Sequence, residues 1–175
     1  MIYYWLHILY LYTGSNFLWK KLDVTTDLIR KHRVNILDCD SLRYMANSKY
    51  LYYMDFIRFE KLFRSSLYEN TFKKGMFPVL GSQKIIYKNP LKLGSPFNIA
   101  LVLEGWDEKW FYHKQIFTQN DQVCAIGYTK AAIWKNNKTQ DLKPILENCG
   151  VTAREMKVPE QITLLFENDY QLLKN

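Results

Sequence analysis

The chain has 175 residues, enough for one domain with a sizeable core and short for two, and it carries no Gly/Ser/Pro-rich linker or low-complexity block. Hydrophobic residues make up 48% and aromatic residues 16%, 13 of them Tyr, which excludes a disordered chain and calls for a large buried interior or an oligomer interface. The net charge of +7 comes from 24 Lys/Arg against 17 Asp/Glu scattered in ones and twos, so no basic tail marks a nucleic-acid partner, and a small phosphorylated ligand fits as well.

The first segment, "MIYYWLHILYLYTGSNFLWKK", is apolar and aromatic but is broken by His7 and by Thr13-Gly14-Ser15-Asn16, with no basic region ahead of it and no small-residue cleavage site. Two readings stand. One is an aromatic helical extension over residues 1–30, docked on the domain. The other is a peripheral membrane contact by residues 1–21 through Trp5, Trp19 and the tyrosines, followed by Lys20 and Lys21.

"HRVNILD" (32–38) alternates Val34 and Ile36 and predicts a short strand that ends at an acidic pair, Asp38 and Asp40. From Ser48 to about Arg64 the chain lacks Gly and Pro and sets Tyr52, Phe56, Phe59 and Phe63 on one helical face, expected to be core. Leu51, Met54, Ile57 and Leu62 fall on other faces, so protein encloses the helix. Asn47 or Ser48 is the expected N-cap, which leaves the first amides pointing back toward residues 40–47.

After a second short helical stretch, Gly75 and Pro78 punctuate the chain and the period changes to two. Strands are expected at 79–89, 96–106, 109–119 and 122–134, joined by turns at Asn89-Pro90, Asp107-Glu108 and Asn120-Asp121 as an antiparallel meander. An α+β fold follows, with the sheet wrapped around the long helix and helices in the tail, 151–175.

Several chemistries can be set aside. Ser82 lacks a G-x-S-x-G context, and His7, His32 and His113 show neither a nucleophile partner nor metal-ligand spacing. Cys39, Cys124 and Cys149 are far apart and read as reduced core thiols in a cytoplasmic compartment, with no metal site. The aromatic and basic residues of "KWFYHK" follow from strand alternation as well as from nucleic-acid binding. The acidic pair keeps two readings. Asp38 and Asp40 are turn residues, or one is a carboxylate placed beside the orphan amides and positive dipole of a helix start, an arrangement suited to acyl transfer.

"DCD" followed by Tyr50 at the head of a long helix resembles the D-x-D...Y signature of hot-dog fold thioesterases related to 4-hydroxybenzoyl-CoA thioesterase. "FPVLGSQKIIYKNPLKLGSPFNIALVLEGWDEKWFYHKQIF" and "VCAIGYTK" are similar to the sheet of that family, especially its acyl-CoA thioesterase-like branch that includes the THEM6-type proteins. The resemblance covers roughly 30–148 and implies a hot-dog domain over 31–150, a homodimer or dimer of dimers, and active sites where subunits meet. It implies an acyl-CoA or acyl carrier protein thioester as substrate, with coenzyme A entering as part of the substrate and no cofactor.

The resemblance assigns the catalytic carboxylate to Asp40, supporting roles to Asp38 and Tyr44, and carbonyl polarisation to the amides of Asn47 and Ser48. Lys73, Lys74, Lys84, Lys88 and Lys130 are candidates to meet coenzyme A phosphates. Many relatives have G-H-x-N-N where this chain has Arg43-Tyr44-Met45-Ala46-Asn47, so Arg replaces Gly, Tyr replaces His and Ala replaces one Asn.

Overall fold

The computed structural model describes residues 2–151 and 158–169. The part of the expected tail at 152–157 and 170–175 lies outside the described residues. An N-terminal helix α1 (Ile2–Thr13) ends in a π-turn (Gly14–Leu18), and strand β1 (Leu28–Arg33) leads through a 3-10 turn (Ile36–Asp38) to the long helix α2 (Asn47–Arg64). A short helix α3 (Leu67–Asn70) and a second 3-10 turn (Phe72–Lys74) precede β2 (Phe77–Tyr87), β3 (Pro96–Trp106), β4 (Phe111–Gln119), β5 (Gln122–Lys135) and β6 (Lys138–Thr139). Helices α4 (Leu142–Asn148) and α5 (Glu160–Phe166) close the described chain.

The strands form one antiparallel sheet in the order β1-β3-β4-β5-β2, with β6 on β5. The expected meander is therefore present only over β3, β4 and β5. Both sides of β3 are taken, by β1 and β4, so β2 pairs across with β5, and 88–95 is a crossing rather than a hairpin turn. Register shifts at Leu80/Ser82, Leu103/Gly105 and Phe117/Thr118 bend the strands so that the sheet curls. Two tight hairpins rest on residues that tolerate positive φ, Asn120-Asp121 (48°, 60°) and Asn136-Asn137 (51°, 60°).

The hollow of the sheet is filled by one face of α2, where Tyr50, Tyr53, Met54 and Ile57 pack on Phe97, Ile99, Leu101 and Phe117. At Gly127 a Cβ would run into the tip of the Met54 side chain, so glycine leaves room for Met54 against β5. The aromatic stripe lies on a different face. Phe56, Phe59 and Phe63 seat α1 through Tyr4, Ile8 and Leu11, the His7 ring stacks on Phe56 at 3.9 Å, and Tyr52 is partly exposed. Below α1, Glu60 takes ion pairs from Arg30 and Arg64 at 2.6 Å each, and both guanidiniums lie over Trp19. These contacts tie residues 19–30 to α2.

Two boundaries differ from expectation. The strand expected at 32–38 is Leu28–Arg33, ahead of the expected domain start at 31, because Asn35 closes a capping box with Asp38 and turns the chain into the 3-10 helix. Helix α2 is capped at Ala46, with no side-chain cap, and Asn47 and Ser48 are its first residues. Of the three cysteines expected in the core, Cys124 is buried while Cys39 and Cys149 are half-buried, and all three are free thiols.

Candidate active site

The loop between the first 3-10 turn and α2 is held by backbone bonds. The amide of Asp40 donates to Tyr44 O at 2.9 Å, that of Arg43 to Asp40 O at 3.2 Å, and that of Met45 to Leu91 O at 2.8 Å. Arg43 completes this turn at φ 62°, in the left-handed region where a residue with a Cβ is strained. The amide of Ala46 donates to Asp38 O at 2.8 Å, which sets the start of α2 against the loop.

The two aspartates do different work. Asp38 is 2% exposed, and its Oδ2 accepts from the Asn35 amide at 3.0 Å and the Tyr53 hydroxyl at 2.9 Å, while Lys49 Nζ lies 4.0 Å from Oδ1. Burial, reinforced by the Asp38 charge, raises the Tyr53 phenol well above its usual range, so Tyr53 stays a donor. The Asp40 side chain is exposed. Its Oδ1 accepts from the amides of Leu42 at 2.8 Å and Tyr44 at 3.3 Å, an Asx turn that fixes the carboxylate and leaves Oδ2 outside the loop's own bonds.

At the end of this loop α2 begins without a side-chain cap, so the exposed Asn47 and Ser48 present first-turn amides of the kind that stabilise an anionic oxygen. A fixed carboxylate acting together with such donors can activate or attack a carbonyl whose oxygen gains charge. Tyr44 is half-buried and bridges to Lys92. Tyr53 and Lys49 were not singled out from the sequence. Their spacing of four within α2, on the side turned to the acidic loop, is the signal that would have found them.

The five candidate lysines are dispersed. Lys73 pairs with Glu69 at 2.6 Å and Lys74 bonds Asn70 at 2.9 Å, next to α3. Lys84 pairs with Asp169 at 2.8 Å, Lys130 lies 4.7 Å from the Trp110 ring centre, and Lys88 is exposed at the end of β2.

A curled antiparallel sheet around one long helix, with an aspartate loop at the helix start, is the hot-dog fold of thioesterases. A sequence model described as the thioesterase-like superfamily matches residues 34–163, and the chain belongs to that superfamily. Among relatives, it is 30% identical over 145 residues to Protein THEM6 of Xenopus laevis, covering 79% of this chain and 69% of that protein. It is 31% identical over 125 residues to Protein THEM6 of Drosophila melanogaster, covering 70% of this chain but only 63% of the fly protein. Among solved structures, the probable thioesterase YbaW of Escherichia coli superposes with a TM-score of 0.65 over 75% of this chain and 99% of YbaW, at 20% identity, a likeness of fold.

Proposed function

We propose that the chain hydrolyses an acyl-CoA or acyl carrier protein thioester to a free acid and a thiol, with Asp40 as the catalytic carboxylate. The observation that carries this reading is the state of Asp40: one oxygen is fixed by two amides and the other lies outside the loop's own bonds, in an exposed loop that leads into an uncapped helix start, in a member of the thioesterase-like superfamily. As general base, Oδ2 takes a proton from water while the water oxygen bonds the carbonyl carbon and the thiolate leaves to be protonated. As nucleophile, Oδ2 itself bonds that carbon, the thiolate leaves, and water then splits the mixed anhydride. In either route the amides of Asn47 and Ser48 receive the carbonyl oxygen as it gains charge, and Tyr44 and Asp38 support the loop.

The free edge of β2 supports a homodimer as the working unit, because it is long and shows Phe77, Leu80, Ile86 and Tyr87 to solvent. Thiol release from a panel of short, long and aromatic acyl-CoAs and one acyl carrier protein tests the activity. Turnover of at least one is expected, and none on any would remove the reading.

A second reading, a non-catalytic hot-dog module that binds acyl groups or a partner at a membrane surface, is favoured by α1. Ile2, Trp5, Leu6 and Leu9 follow helical spacing, face solvent at 57–78% exposure and are continued by Phe17 and Leu18 ahead of Lys20 and Lys21. No helix among the described residues is long and apolar enough to cross a membrane. Co-sedimentation with phosphatidylcholine vesicles, with and without phosphatidylserine, is expected for the native chain and is expected to be lost when Trp5, Leu6 and Leu9 become Ser. Equal sedimentation of both chains would contradict a membrane role for α1.

A further inference from the structure

A cavity of about 310 Å³ lies between the C-terminal half of α2 and the hollow of the sheet. Most of its wall is apolar, with Leu101, Leu103, Phe111 and Ile133 from the sheet and Phe59 and Leu62 from α2. Protein interiors rarely hold voids larger than a water molecule, and roughly 300 Å³ is where small-molecule pockets begin. Its rim includes Leu80, 45% exposed, and half-buried Tyr4 and Asp55.

The wall also carries an unusual polar set. His113 faces the cavity, and its buried Nδ1 has no hydrogen-bond partner. Thr129, the cross-strand partner of His113, and Gln115, two residues along the same strand face, are fully buried outside the cavity lining, where Thr129 Oγ1 and Gln115 Oε1 also lack partners. Folded proteins leave few buried polar atoms unmet, and the one that lines this cavity, His113 Nδ1, marks a place for another molecule's polar group. Opposite it, Arg58 is held in a fixed orientation by Asp55 and by Gln83 at 3.1 Å.

The local charge selects the sign of that group. Lys61 also lines the cavity, and its ammonium donates to the backbone carbonyls of Asp23 and Thr26 rather than to a carboxylate. Burial pushes His113 down to about 3, and the charges of Arg58 and Lys61 push the same way. The imidazole is thus neutral and able to donate one hydrogen bond, with Lys61 and the Asp55-paired Arg58 as the cations beside it.

We propose that this cavity binds an amphipathic carboxylate, its anionic group held by Arg58 and His113 and its hydrocarbon lying along Leu101, Leu103, Phe111 and Ile133. Arg58 lies eleven residues beyond Asn47, about 16 Å along the helix axis, so this site is separate from the helix start. It does not depend on Asp40 being catalytic. The same chemistry has two sources, a free acid or a thioester whose acyl group ends in a second carboxylate.

Titration calorimetry on the full chain tests the proposal, with decanoate, 1-decanol, decanoyl-CoA and sebacoyl-CoA as probes. The CoA probes are measured on Asp40→Asn so that turnover does not interfere. One decanoate per chain is expected if the source is a free acid, with 1-decanol about tenfold weaker or worse. If the source is a dicarboxylic thioester, sebacoyl-CoA binds about tenfold tighter than decanoyl-CoA. His113→Leu, which removes the donor at similar volume, and Ala131→Leu, which fills the cavity wall, are each expected to weaken the favoured probe about tenfold with thermal midpoints close to native. The proposal is overturned if neither carboxylate probe binds saturably, if 1-decanol matches decanoate while decanoyl-CoA matches sebacoyl-CoA, or if both variants bind as the native chain does.

Discussion

The Tyr53 hydroxyl donates a 2.9 Å hydrogen bond to Oδ2 of Asp38, joining the sheet-facing side of α2 to the loop that carries Asp40. Asp38 in turn accepts from the Asn35 amide and, through its backbone carbonyl, from Ala46 at the helix start. The core thereby reaches the candidate carboxylate through two residues, neither of which needs to touch substrate.

Removing the hydroxyl in Tyr53→Phe leaves a buried carboxylate short of one donor. The expected cost is about 2 kcal/mol, read as a lower urea midpoint, together with slower thiol release as the loop loosens. An unchanged midpoint would show that the Asn35 amide and Lys49 suffice to hold Asp38.

Arg43 sits at φ 62° where many relatives have Gly. Arg43→Gly relieves that strain and keeps both backbone bonds of the turn, so a gain of about 0.5–1 kcal/mol and a rise of about 1–4 °C in thermal midpoint are expected. A fall in midpoint would mean that the arginine side chain contributes more than its backbone strain costs.

Burial lowers His32 to about 4 and His113 to about 3. Unfolded histidine takes its proton near pH 6.5, so between about 6.5 and 4 the unfolded chain binds more protons than the folded one, and stability falls as pH falls. The full slope is about 1.4 kcal/mol per pH unit for each histidine. Urea unfolding from pH 8 to 4.5 should show the decline beginning near 6.5, and His113→Leu should make it shallower. Flat stability between pH 7 and 5 would contradict the buried, neutral placement of these rings.

Ile86 is 59% exposed on β2, whose outer edge pairs with nothing among the described residues. Sedimentation equilibrium should give a dimer for the native chain and a monomer for Ile86→Lys, since a desolvated charge opposes strand pairing. A native monomer, or a lysine variant that still dimerises, would place the interface elsewhere.

The long helix and the spans of β3, β4 and β5 were legible because local patterns decide them: no Gly or Pro in α2, strict alternation in β3, and Asn120-Asp121 at a tight turn. Strand β1 was misplaced because Leu28–Arg33 hides its alternation under Arg30, Lys31 and Arg33, as an edge strand does, while the alternation of Val34 and Ile36 belongs to a capped 3-10 turn. The pairing of β2 with β5 is set by which edges remain free, which no local pattern reports.

At the candidate site, the acidic pair and the helix start were legible, and the family resemblance assigned different roles to Asp40 and Asp38, but the contacts that set the two apart were not. Which aspartate is buried depends on Tyr53 reaching Asp38 from within α2, and which is exposed depends on the Asx turn at Leu42. The cap at Ala46 is made by backbone alone and leaves no trace in residue type. His113 and Arg58, from β4 and α2, meet only once the sheet has closed over the helix.

Asp40→Asn is the most direct test of the catalytic assignment, because an Asn oxygen still accepts from the Leu42 amide and the loop keeps its shape while the negative charge is lost. Thiol release from the best acyl-CoA substrate, measured on native and variant proteins with matched unfolding midpoints, should show kcat/KM lower by about 10²- to 10⁴-fold in the variant. Full activity in Asp40→Asn would contradict the account and move the chemistry away from this loop.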